Sequence, residues 1–98
     1  MSTSHSDLTD NVFGASSEDL RALKAAYGSV VARRRIQAGI NRTVFARMLG
    51  ISTSHLRQIE KGEGNPLLTT QHRIAAALGT TIDDLAKSAR IEAFGSGA

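Results

Sequence analysis

Leu20, Leu23, Tyr27 and Val30 recur at three- and four-residue steps, with Val31 beside the last of them. That period belongs to a helix with one apolar stripe, and it predicts a long amphipathic helix ending near Ala38. Ser16 or Ser17 can cap its start, Glu18 and Asp19 favour the positive end of its dipole, and Gly39 suits the left-handed position after its end. Asn41 can cap a second helix from Arg42, in which Val44, Phe45, Ala46, Met48 and Leu49 supply apolar positions until Gly50 stops it. Ser52 caps a third over Thr53 to Lys61, closed by Gly62. After the loop "GEGNP", Pro66 disfavours helix at Asn65, and Ile74, Ala75, Ala77 and Leu78 mark a fourth helix over Thr69 to Leu78. Thr81 and Asp84 have the spacing of a capping box for a fifth, through Ile82, Leu85, Ala86 and Ala89. The pattern leaves open whether it continues to Phe94. No segment alternates with the period of a strand, so the predicted fold class is all-α, with five helices in one compact domain.

Within the third helix, Leu56 and Ile59 lie about 60° apart on the helical wheel and fix the buried direction. Ser54 and Lys61 then point almost opposite, between Gln58 and Arg57, with Thr53 at the rim and His55 and Glu60 flanking the buried stripe. The outward face therefore carries hydrogen-bonding and cationic groups and no carboxylate. Gln can bond adenine in a bidentate manner, Arg can bond guanine, and Ser or Thr can reach bases or phosphates from a helix start. Two short helices joined at Gly50, the second showing such a face, meet the requirement of a helix-turn-helix DNA reader.

Charge adds to this reading through its distribution. The net charge of the 98 residues is +3. Residues 27–62 hold six arginines and Lys61 against Glu60 alone, a balance of +6, while residues 1–26 balance at −2 and residues 63–98 at −1. A basic centre between mildly acidic flanks is suited to a polyanion. Residues 1–15, rich in Ser, Thr and Asp without periodicity, are expected to form a flexible arm, and no secretory signal is visible there. The longest apolar run, residues 74–78, is far too short to span a membrane. The chain has no cysteine, which excludes disulfides and thiolate metal sites and suits a reducing cytoplasm.

The stretch "GINRTVFARMLGISTSHLRQIEKGEGNP" resembles the helix-turn-helix of the Cro/phage-repressor-like (XRE) family of bacterial and phage regulators. The likeness covers about residues 27 to 85. It includes "YG" in the first helix, Arg35 near its end, "FA" in the second, "LGIS" at the turn, "IEKG" closing the third, then "NP" and "IAAALGTTIDDL". The resemblance implies a lambda-repressor-like fold over residues 16–90, with the helix-turn-helix unit at about 42–61 and a tail at 91–98. It implies that Thr53, Ser54 and Gln58 meet base edges in the major groove, and Arg57 joins them on the same face. Asn41, Arg42, Lys61 and Asn65 are expected near phosphates, with the start of the second helix itself an anion site. The Arg matching Arg35 pairs in this family with the Glu matching Glu60, tying the first helix to the end of the recognition helix.

This sequence departs from the family at two places. Arg42 stands where the family usually has a Gln that braces the recognition helix. Arg34 stands where an aliphatic residue is preferred, in line with Leu20, Leu23, Tyr27 and Val30; its neighbour Arg33 is expected to be solvated.

Other chemistry finds little support. The histidines at 5, 55 and 72 share no metal-ligand spacing, Ser54 and His55 diverge by about 100° as helical neighbours, and no phosphate-cradling glycine loop is present. No cofactor, metal or enzymatic activity is expected. The expected function is a sequence-specific transcriptional regulator, a repressor on family habit, acting in the cytoplasm on a palindromic DNA operator as a homodimer. The alternative is a protein-interaction module such as an antitoxin, whose main partner is a protein. The dimer surface is open between the fifth helix with Ile91 and Phe94 and the face around "LRALKAAY".

Overall fold

The computed structural model describes residues 16–95; the expected N-terminal arm lies outside them. Five helices follow one another: α1 (Ser17–Gln37), α2 (Arg42–Leu49), α3 (Thr53–Glu60), α4 (Leu68–Ala77) and α5 (Ile82–Phe94). Local chemistry sets most of their ends. Ser16 and Asp19 form a reciprocal capping box on α1, Asn41 Oδ1 accepts from Val44 N at 2.9 Å, and Ser52 Oγ accepts from His55 N at 3.0 Å. α4 instead starts behind Pro66 without a side-chain cap, one residue earlier than its pattern suggested. α5 runs through Ile91 to Phe94, so the segment expected as a tail from residue 91 remains helical until Gly95.

The core gathers Val30 and Val31 of α1, Phe45, Ala46 and Leu49 of α2, Leu56 and Ile59 of α3, Ile74 and Ala75 of α4, and Leu85 of α5. Burying a large aliphatic or aromatic side chain is worth about 1.5–3 kcal/mol, so this cluster is the main favourable term. Not every apolar position of the pattern turns inward. Leu20, Val44 and Met48 are about half exposed, while Ala26, Gly28 and Arg35 are buried. The buried side of α1 is therefore wider than a single stripe, because α1 packs on both α5 and α3.

The arginine run on α1 divides three ways. Arg34 Nη1 lies 2.6 Å from Asp84 Oδ2 and Nη2 donates to Ser88 Oγ at 2.8 Å, so this position, which lacked an account in the sequence, ties α1 to α5. Arg33 is exposed, as expected, and also pairs with Glu92 at 2.7 Å, because α5 continues far enough to bring that carboxylate alongside. The Thr81–Asp84 capping box is half formed. Thr81 Oγ1 accepts from Asp84 N at 3.1 Å, but the Asp84 carboxylate turns to Thr80 and Arg34, which hold it below its ordinary range. Glu92 is likewise held low by Arg33. Arg35 points the other way, into the protein.

Candidate nucleic-acid interface

The turn between α2 and α3 is built from small residues and backbone bonds. Ala46, buried at the crossing, accepts through its carbonyl from Ile51 N at 3.0 Å, and Gly50 takes φ 72°, a left-handed value that a side chain would strain. Arg73 Nη1 reaches the Leu49 carbonyl at 3.5 Å, placing a cation from α4 near the negative end of α2. These contacts fix α3 as a short rod whose Leu56 and Ile59 are fully buried.

On the opposite side of that rod, Ser54, Arg57 and Gln58 are exposed, and Thr53 is partly buried at the first position of the helix. Among the described residues, none of these four side chains makes a hydrogen bond within the protein, nor does that of Lys61. The proposed reading groups are thus brought together on one face with their donors and acceptors unspent. His55 is partly buried beside them and its side chain makes no hydrogen bond among the described residues.

The end of α3 is held more tightly than its start. Arg35 Nε donates to Glu60 Oε2 at 2.7 Å and Nη2 to Oε1 at 3.1 Å, while Nη1 donates to the Ile40 carbonyl at 2.8 Å. The two side chains of this fork are only 7% and 4% exposed. Arg42 joins them, with its Nε 3.0 Å from Glu60 Oε1. The bracing that a Gln would supply at that position is therefore made here by donation to Glu60. Close packing adds to the clamp. A Cβ on Gly28 would overlap the Ile59 carbonyl and come within 2.7 Å of the Glu60 carbonyl, and one on Gly62 would lie 2.7 Å from Ala25 Cα. Gly62 also takes φ 77°, so it alone meets both the turn and the approach.

The positions expected near phosphates fall into groups. Asn41 is exposed but its Oδ1 caps α2, leaving the amide NH₂ to donate. Arg42, through Glu60, brings the start of α2 to the end of α3, beside exposed Lys61. Asn65, further along the loop, is also exposed and borders a shallow apolar hollow with Leu23, Tyr27 and Pro66. The sequence reading quoted Gly28 only within "YG" and gave it no packing role, although a glycine between helix formers in mid-helix is a signal of close approach. Nor did it foresee Arg42 as a partner of Glu60.

Among the described residues, no group of three His, Asp or Glu side chains is placed to hold a metal ion, and no helix is long and apolar enough to cross a membrane. The comparisons with known proteins agree with the helix-turn-helix fold. A family model described as "Helix-turn-helix" matches residues 31–85, more than half of the chain. No curated protein sequence matches it significantly. The clp gene regulator ClgR from Corynebacterium glutamicum shares the fold at 22% identity, with a TM-score of 0.66 over 68% of this chain and 71% of that one. The hydroxypropylphosphonic acid epoxidase from S. wedmorenis is 32% identical over 63% of this chain, with a TM-score of 0.59, and apo-HppE gives the same values. The chain spans only 33% and 35% of those two proteins' lengths. With its helix-turn-helix motif inside the matched segment and every helix of the fold in place, the chain belongs to the Cro/C1-type (XRE) family of helix-turn-helix DNA-binding proteins.

Proposed function

We propose that this protein is a sequence-specific transcriptional regulator, acting as a repressor, whose α3 enters the major groove of double-stranded DNA. The observation that carries the reading is the contrast across α3. One side is locked into the core and clamped at Glu60, while the other presents Ser54, Arg57 and Gln58 exposed and unbonded. A rigid rod with free polar groups suits recognition of base edges, because the ordering cost is met in folding rather than on binding. The proposed phosphate partners are Asn41, Arg42, Lys61 and Asn65, and Thr53 joins the base-reading set. One α3 covers about half an operator, so a homodimer would set two of them about 34–36 Å apart on one face of the duplex.

Selection from random duplex DNA tests this. Enrichment of a palindrome with half-sites one helical turn apart is expected. Recovery of an unpatterned pool would remove the sequence-specific reading. That result would favour a protein-interaction module, for which Leu67 and Leu68, both largely exposed, offer an apolar contact.

A further inference from the structure

We propose that the hollow bordered by Asn65 is a binding site for a small carboxylate with a single-ring apolar body, and that its occupant weakens the hold of the protein on DNA. The effect on DNA rests on the reading above; the site itself does not.

The hollow lies where α1, the end of α3, the loop before α4, and α5 meet. Leu23, Ile59, Pro66 and Ala89 give it apolar walls, and it measures about 210 Å³. An apolar cavity of about 150 Å³ holds benzene, so this volume admits one ring with a short polar group. Two further wall residues set the chemistry of that group. Tyr27 is the first: its hydroxyl is buried and has no partner among the described residues. A hydroxyl buried without a hydrogen bond is unfavourable, and an acceptor carried in by a ligand removes that cost. Lys24 is the second, partly buried and in no ion pair or hydrogen bond among the described residues. Its ammonium only donates, and no carboxylate lines the hollow to answer it. A hydroxyl donor and a cation beside apolar walls select an anion that accepts and carries an apolar body. Inorganic phosphate would leave those walls uncovered.

The position of the hollow links it to recognition. Gln71 Nε2 donates to the Pro66 carbonyl at 3.1 Å, pinning one side of the loop to α4. On the other side Gly64 lies so near α3 that a Cβ would stand 3.3 Å from Ile59 Cγ1. An occupant between Ile59 and Pro66 therefore bears on both α3 and the loop. Asn65, proposed above as a phosphate contact, is carried by that loop and shifts with it. The coupling is reciprocal, so DNA opposes the ligand by the same factor.

The test titrates the full chain with benzoate and follows backbone amide shifts by NMR, in native, Lys24→Met and Tyr27→Phe forms, with benzyl alcohol as the uncharged comparison. Saturable shifts centred on Leu23, Asn65 and Ala89 are expected. Lys24→Met, Tyr27→Phe and the change to benzyl alcohol should each weaken binding about tenfold. Thermal unfolding checks both variants, and Tyr27→Phe, which keeps the shape of the side chain, decides the matter should Lys24→Met fail to fold. Saturating benzoate should lower the affinity of native protein for the selected operator about fivefold, and that of Lys24→Met far less at the same concentration. Absence of saturable shifts, or equal binding by all three proteins, would overturn the site. Saturable binding with operator affinity unchanged would overturn the coupling to DNA. Native protein that binds benzoate in the hollow but discriminates no duplex would remove the DNA-reading proposal while the site stands.

Discussion

Glu60 is the acid on which the geometry of α3 converges. Its carboxylate is 4% exposed and meets two arginines from two different helices. Removing it leaves Arg35 buried with only the Ile40 carbonyl, a loss of about 3–5 kcal/mol for a buried charge stripped of its partner. Glu60→Ala should therefore move the urea midpoint strongly downward at an unchanged denaturant slope. A surface-like change below about 0.5 kcal/mol would show that the fork contributes little. Tyr27 presents the opposite case. Its hydroxyl is buried without a partner among the described residues, and burial pushes its pKa up from 10.0 to about 12. The folded state thus disfavours the phenolate, and stability present below pH 10 is lost as pH rises toward about 12. Tyr27→Phe removes an unsatisfied group at nearly constant shape. It should be neutral or stabilising by about 1 kcal/mol and should flatten the alkaline loss in pH-dependent melts. A Phe variant clearly less stable than native protein would mean that the hydroxyl has a partner after all.

At the scale of elements, α1 acts as the platform. One side carries the Arg33 and Arg34 ties to α5, another takes the end of α3 at Gly28. Asp84 and Glu92 are held below their ordinary values of 3.8 and 4.5, chiefly by Thr80 and Arg33 respectively. For a depressed carboxyl, the stabilisation is present above the unfolded value and fades as pH falls through the folded one. Melting temperature should decline from neutral pH to about pH 3, and Asp84→Asn should decline less steeply; parallel curves would show that this tie does not titrate. The helices themselves were legible in the sequence, because Ser16, Asn41, Ser52 and Thr81 cap locally and Gly50 and Gly62 end helices by their own backbone freedom. The ties between helices were not. Arg34 looked misplaced in an apolar stripe, since its partners Asp84 and Ser88 lie some fifty residues away and no local pattern records them. Leu20 and Met48 looked inward for the same reason: period shows that a face exists, while the packing partner decides how far round the helix it extends.

For the molecule as a whole, positive charge concentrated in residues 27–62 is partly spent on internal pairs, namely Arg33, Arg34 and Arg35. Among the described residues, those left outside such pairs are Arg47, Arg57, Lys61 and the free end of Arg42, together with uncharged donors. Salt dependence should still be steep. If a dimer contacts about six phosphates, affinity should fall about 10³-fold between about 50 and 200 mM salt; binding indifferent to salt would remove the polyanion from the account. The central claim, however, is that the outward side of α3 reads bases. The most direct measurement is the affinity of Gln58→Ala for the selected operator and for each single base-pair substitution within it. The account predicts a loss of about 1–3 kcal/mol confined to one base pair per half-site, where the variant no longer discriminates. Equal weakening on every duplex, with discrimination intact at all positions, would contradict it.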